Sequence, residues 1–269
     1  MNELTPEQKR RYNRHVILEG FGMEGQRRLL NSKVLIVGMG GLGSPAAMYL
    51  AAAGVGTIGI VDGDFVSATN LQRQVIYTSA DVGKMKVDVA ADRLVAMNPD
   101  VTVVKHDVFL NEENAMDIIG KYDFVVEGTD NFASKYLVND ACVMLGKEFV
   151  IGGINRFGGQ VFTHMQDTAC YRCLFPEPPA MAEVETCSMV GVLGPLAGMV
   201  GTVEATEAIK CMARIGKPLA NAMLTIDALT MEWQKFDICK DNKCRLCGDS
   251  PTITVLKEYA YKPCAKRKE

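Results

Sequence analysis

Short uncharged runs rich in Val, Ile and Leu alternate along the chain with longer stretches whose apolar positions recur at helical spacing. The runs predict strands at 33–38, 57–62, 101–107, 122–127 and 148–152, and the stretches predict helices at 44–53, 84–97, 112–119 and 131–146. Two charged helices, over about 6–14 and 23–30, precede them. This β-α-β rhythm predicts an α/β, Rossmann-like fold, a mostly parallel sheet with helices on both faces. Ligands of such sheets sit beyond the carboxyl ends of the strands. Gly38, Asp62 and the segment Glu127-Gly128-Thr129-Asp130 fall there.

After Gly152 the rhythm changes. Residues 158–163 read as an antiparallel addition, and 222–227 with 230–238 read as a hairpin. Pro176, Pro178 and Pro179 mark an irregular segment running to about Glu185. Cys187 to Val203 carries no charge, and Gly194, Gly198 and Gly201 give its helix a small-residue face suited to a buried or dimer-contact position.

Residues 34–61 also lack charge, which raises the question of a membrane span. Seven glycines between Gly38 and Gly59 interrupt the run, and its β-branched ends flank an Ala-rich middle, so it reads as strand, helix, strand. The first residues, Met1 to Pro6, show no apolar signal-peptide core, and a cytoplasmic location is expected. A formal net charge of −3 argues against general nucleic-acid binding, and Lys266-Arg267-Lys268 reads as a solvated tail.

The candidate chemistry starts at Gly38-Met39-Gly40-Gly41-Leu42-Gly43, a G-x-G-x-x-G turn that leaves a strand and enters a helix. In that context backbone N–H groups and a helix N-terminus face a phosphate. Asp62 closes the second strand nineteen residues after Gly43, the usual place for an acid that binds ribose hydroxyls; Asp64 either shares that role or caps a turn. The run Asn70-Leu71-Gln72-Arg73-Gln74 is foreign to a dinucleotide site and places a permanent cation and several donors where a triphosphate would lie.

Nine cysteines without a secretion signal point away from a disulfide framework. Two pairs, Cys170/Cys173 and Cys244/Cys247, have the C-x-x-C spacing that grips one side of a tetrahedral metal. Seventy residues separate them, so a zinc ion there would staple distant segments; a redox dithiol or unrelated buried thiols are the alternatives. Cys142 and Cys211 sit in apolar helical patterns and read as core, while Cys239 and Cys264 flank the second pair and leave the ligand choice open.

These features, with Arg11-Tyr12-Asn13-Arg14, Thr129-Asp130-Asn131 and Glu204-Ala205-Thr206-Glu207-Ala208-Ile209-Lys210, form an ordered set along most of the chain. On it the chain closely resembles the ThiF/MoeB/HesA family, relatives of ubiquitin-activating enzymes. ThiF and MoeB adenylate the C-terminal glycine of small ubiquitin-fold sulfur carriers used in thiamine and molybdopterin biosynthesis. The resemblance implies ATP and Mg2+, with Arg73 and Lys86 as counter-charges on the phosphates. Asp130 would be the magnesium ligand with Asn131 beside it; capping of the following helix is the competing role for Asp130. Arg14 matches an arginine that reaches the phosphates of a neighbouring subunit, which implies a homodimer with composite sites; an exposed helix arginine is the plain alternative. Cys187 matches a position at which a thiol takes part in sulfur transfer, or it is a packing residue.

The resemblance divides the chain into N-terminal helices at 1–32, a nucleotide-binding core at 33–152, a carrier-binding and zinc-stapled portion at 153–248, and a tail at 249–269 without a recognised role. Longer relatives carry a rhodanese-like domain that this sequence lacks, so a separate sulfur donor, a cysteine desulfurase or rhodanese-like protein, is expected. Of the other function classes, an NAD-dependent oxidoreductase would share the Gly-rich turn and Asp62 but leaves Arg73, Lys86 and the cysteine pairs unexplained. A non-catalytic scaffold is disfavoured because every candidate ATP-site residue is present.

Overall fold

The apolar runs fold as β1 (Lys33–Val37), β2 (Thr57–Val61), β3 (Thr102–His106), β4 (Phe124–Glu127) and β5 (Glu148–Asn155) in a computed structural model that describes residues 3–179, 190–257 and 259. They lie side by side in the order β3-β2-β1-β4-β5, all parallel. Helices shield both faces, which explains why the central strands lack the polar alternation of a half-exposed sheet. In β1, Val34 and Ile36 join one core while Leu35 and Val37 join the other. The first core packs against α3 (Gly22–Asn31), α4 (Gly43–Ala53) and α5 (Lys86–Met97); the second packs against α6 (Ala115–Ile119) and α7 (Phe132–Met144). The first crossover leaves β1 toward β2 and the later one returns to β4 on the other side of β1. The chain therefore parts at the carboxyl ends of β1 and β4, where open α/β sheets bind ligands.

The N-terminal helix divides into α1 (Pro6–Arg11) and α2 (Asn13–Val16) at buried Tyr12, whose hydroxyl accepts from Asn98 at 2.9 Å. The helix expected at 112–119 starts only at Ala115, because the Asn111 and Asn114 side chains bond the backbone of 111–114 in a local turn instead.

Beyond β5 the sheet continues antiparallel through β6 (Gly158–His164), β7 (Ala222–Asp227) and β8 (Glu232–Asp237), eight strands in one sheet. β5 runs past Gly152, where the sequence pattern ends it. A Cβ at Gly152 would lie 2.6 Å from the Glu204 carboxyl, so the glycine marks a close approach inside a strand. The short α8 (Tyr171–Leu174) carries the first cysteine pair, and a long helix, α9 (Gly194–Ala213), crosses behind the sheet. Of the small-residue face Gly201 is buried, and a Cβ on it would stand 2.4 Å from the Leu42 carbonyl oxygen, whereas Gly194 and Gly198 are half-buried and a Cβ on Gly198 would meet nothing within 4 Å. α9 extends ten residues beyond Val203 because Glu204 and Glu207, polar in sequence, are both buried in it. Among the described residues no helix is long and apolar enough to cross a membrane.

Candidate active site

The turn from β1 into α4 opens at Gly38, whose φ of +89° is a left-handed conformation that favours glycine. A side chain there would also press on Thr129 and Gly128 of the neighbouring turn. Gly43 has a different duty. A Cβ on it would stand 1.9 Å from the Gly38 carbonyl oxygen, so it permits close packing of helix on turn and lies outside the cavity wall. Gly38, Gly40 and Gly41 line a cavity of about 670 Å³, well sized for a small-molecule ligand.

One wall is acidic and basic at once. Asp62 accepts the Met39 N–H at 2.8 Å and the Asp64 N–H at 2.9 Å, which fixes its carboxylate at the end of β2. Burial is the largest influence on it and raises its pKa, against the pull of Lys86 and those two amides. Lys86 opens α5, is buried, and places Nζ 2.8 Å from Asp64 and 3.9 Å from Asp62. Burial also pushes Asp64 up, but the Lys86 hydrogen bond and the Phe65 N–H outweigh it and leave this carboxyl below its ordinary value. The sequence left Asp64 between ligand and turn; the structure shows it held by Lys86 at the cavity edge, bonding the Phe65 N–H as well.

Asn70, Arg73 and Gln74 form the next wall. Arg73 donates to the Thr69 carbonyl at 3.2 Å and lies over Gly41, where a Cβ would meet its stem at 3.4 Å. Its stem therefore packs on the Gly-rich turn while its guanidinium is held by the Thr69 carbonyl at the cavity wall. Gln74 is buried with its Oε1 unpartnered, an unmet hydrogen-bonding group in the wall of the cavity.

Asp130 follows β4 on the same crevice, exposed, with no hydrogen bond or ion pair to the described residues. The capping role that competed for it belongs to Asn131, whose side chain accepts the Ser134 N–H at 2.8 Å and starts α7. An otherwise unengaged carboxylate is a hard oxygen donor and fits a Mg2+ held by few carboxylates together with substrate phosphates. Further wall comes from Val108, Phe109 and Leu110, from Thr225 and Ile226, and from Gly153–Asn155 and Gly158–Gln160 of the β5–β6 hairpin. That hairpin lies in the portion expected to bind the carrier, but none of its residues was singled out from the sequence. Lys135 also lines the cavity and was missed, since a lysine in a helical pattern reads as solvent-facing.

Arg14 lies on α2, exposed and outside the cavity, and bonds none of the described residues. Cys187 lies outside the described residues. The two cysteine pairs do converge: Cys170, Cys173, Cys244 and Cys247 bring four sulfurs within 4.8 Å of one another. Single edges measure 4.0 Å (Cys170–Cys173), 3.7 Å (Cys170–Cys244) and 3.4 Å (Cys173–Cys247). Zn–S bonds of about 2.3 Å in a tetrahedron need sulfurs roughly 3.8 Å apart, so the donor set suits zinc. Cys239 is exposed and outside the cluster, and Cys142 and Cys211 are buried core thiols.

An α/β protein with a nucleotide-sized cavity at the sheet's switch point, cations on its wall and a four-cysteine staple is a narrow class. The chain belongs to the ThiF family, whose model matches residues 12–246. A sulfur carrier protein adenylyltransferase of Thermus thermophilus is 47% identical over 261 residues, covering 95% of this chain and 96% of that protein. A probable adenylyltransferase/sulfurtransferase MoeZ of Mycobacterium tuberculosis is also 47% identical, and this chain spans 65% of its length. The crystal structure of E. coli MccB superposes with a TM-score of 0.81 at 23% identity over 92% of this chain and 75% of that one, which shows the fold alone.

Proposed function

We propose that this chain is an ATP-dependent adenylyltransferase acting on the C-terminal glycine of a ubiquitin-fold sulfur carrier, in thiamine or molybdopterin supply in the cytoplasm. The carrying observation is the meeting of Arg73, Lys86 and Asp130 with the Gly-rich turn around one cavity. A carboxylate oxygen of the carrier attacks the α-phosphorus of ATP, the bond to the β-phosphate oxygen breaks, and pyrophosphate leaves. The nucleophile is already ionised near neutral pH, so the barrier lies in bringing anions together rather than in removing a proton. Gly40 and Gly41 receive the phosphates at the helix N-terminus, Asp62 holds the ribose, and Arg73 neutralises charge over the turn. Lys86 exchanges Asp64 for phosphate as its partner. Mg2+ supplies further charge neutralisation when bound, with Asp130 as its protein ligand and Asn131 next to it.

The hairpin wall at Gly153–Gln160 is assigned to the slender extended tail of the carrier. In this reading residues 33–152 bind nucleotide and 153–248 receive the carrier, stapled by zinc. Arg14 serves the site of a second copy. The adjoining Ile17, Leu18 and Tyr49 are each more than half exposed, and an apolar groove between His15, Tyr49, Ala205 and Ile209 lies beside them, as a homodimer face would. Cys187 is assigned to the later sulfur step, with sulfur delivered by a separate protein. ATP–pyrophosphate exchange with candidate carriers tests the reading: exchange dependent on a carrier ending in glycine is expected. Tight NAD binding without any ATP binding would return the chain to the oxidoreductase class.

A further inference from the structure

The turn bearing Asp130 is tied down by a lysine outside the chemistry described so far. Lys135 stands in the first turns of α7, only 6% exposed. Its ammonium donates to Glu127 Oε2 at 2.6 Å, to the Thr129 carbonyl at 2.9 Å and to the Gly152 carbonyl at 2.6 Å, which uses all three protons. Glu127, fully buried, turns its other oxygen to Thr129 and accepts both the backbone N–H, at 3.0 Å, and the hydroxyl. The amide, carbonyl and hydroxyl of Thr129 are therefore all engaged by one ion pair.

Such a pair is a poor way to stabilise a fold. Buried partners lose hydration that their attraction returns only in part, and apolar residues of like volume often do better. A cation near a helix N-terminus also opposes the helix dipole. What the arrangement does fix is the backbone entering Asp130. Through Gly152 it also ties that turn to β5, whose continuation Gly153–Asn155 lines the same cavity.

We propose that Lys135 is a positioning residue: with Glu127 it holds the Gly128–Asp130 turn so that the Asp130 carboxylate is set in advance for the divalent cation on the ATP phosphates. The proposal rests on the adenylation reading and on the place of Asp130 in it. Partners that orient a metal ligand commonly change metal affinity by about 10–100-fold when removed.

Lys135→Met alone strands Glu127 as a buried unpaired charge, so the double variant Lys135→Met/Glu127→Gln, which keeps volume and removes both charges, is compared with it. Titration calorimetry measures ATP binding with and without Mg2+, and amide hydrogen exchange follows Thr129. The expected result for the double variant is Mg·ATP affinity weakened about tenfold, metal-free ATP affinity unchanged, and faster exchange at Thr129. Equal weakening of metal-free ATP would make Lys135 a phosphate counter-charge and overturn the proposal. Unchanged Mg·ATP affinity with only a lower melting temperature would reduce it to packing and overturn it too. A parent protein that binds ATP without any Mg2+ dependence would sink the assigned role of Asp130 itself, before any variant is made.

Discussion

In the parallel half of the sheet, β1, β2 and β4 are almost wholly buried on both faces, whereas every residue of β8, at the far edge of the antiparallel half, is exposed. The first half is fixed by apolar packing in two cores. The second relies on polar and sulfur staples. Cys170 and Cys173 bracket Arg172, whose guanidinium grips fully buried Asp140 on α7 through two hydrogen bonds of 2.8 and 2.9 Å. The same guanidinium lies 4.7 Å from the Tyr136 ring and 5.2 Å from that of Tyr259, which brings the tail into the network. Arg172 and Tyr136 also bond the carbonyls of Pro176, Phe175 and Glu177, at the root of the Pro-rich segment. The cavity is lined from both halves, by the Gly-rich turn and Asp130 on one side of the division and by Gly158–Gln160 and Thr225 on the other. On the proposed function its phosphate-binding part therefore belongs to the packed half and its carrier-binding part to the stapled one.

The sharpest way to break this contrast is to disrupt the four-cysteine cluster. One zinc per chain is expected by elemental analysis, and structural zinc contributes on the order of 10 kcal/mol of apparent binding energy. Cys244→Ser should therefore lower folded yield. In what folds, hydrogen-exchange protection should vanish around 170–177 and 238–253 while β1, β2 and β4 keep theirs. Uniform loss of protection across the sheet would show that the halves are one cooperative unit.

Arg172→Met asks the same question without touching sulfur. It leaves Asp140 buried and unpaired, which costs about 3–5 kcal/mol in urea unfolding. Adding Asp140→Asn should recover much of that loss. No recovery would mean that Arg172 acts mainly by stacking on the two tyrosines. Asp130→Ala tests the opposite expectation in the parallel half, where the site sits on a scaffold that does not need it. Pyrophosphate exchange should fall by about a hundredfold or more, while stability moves by less than about 0.5 kcal/mol. Retained exchange at ordinary Mg2+ levels would remove Asp130 from the mechanism.

How far the sequence foretold this layout follows the same division. Uncharged runs such as Val34–Val37 become strands because burial on both faces admits nothing else, and the Gly-rich turn is legible because only glycine tolerates its approaches. The C-x-x-C pairs announce themselves by spacing. Lys135, Glu204 and Glu207 were illegible for one reason: charged residues in helices are read as solvent-facing, and only tertiary contact shows otherwise. Arg172 was hidden inside a C-x-x-C pair, and Gly152 looked like the end of a strand that in fact continues to Asn155.

The smallest expected effect concerns Glu204, which faces the junction of the halves at Gly152. Among the described residues neither of its carboxyl oxygens has a hydrogen-bond partner, and burial raises it well above its ordinary value of 4.5, with Lys135 too weak a counterweight. Below about pH 4.5 the folded and unfolded chains both hold this proton, and the group contributes nothing to pH dependence. As pH rises, the unfolded chain releases it while the folded chain keeps it, so stability falls, by at most about 1.4 kcal/mol per pH unit, until the folded pKa is passed. Glu204→Gln keeps the shape and removes the titration. The variant should gain on the parent in urea midpoints as pH rises above about 4.5, until the raised folded pKa is passed, all other titrations being shared by the two proteins. Parallel curves would mean that Glu204 is ionised in the folded protein and that a donor reaches it. The cluster behind Gly152 would then carry two carboxylates against a single lysine.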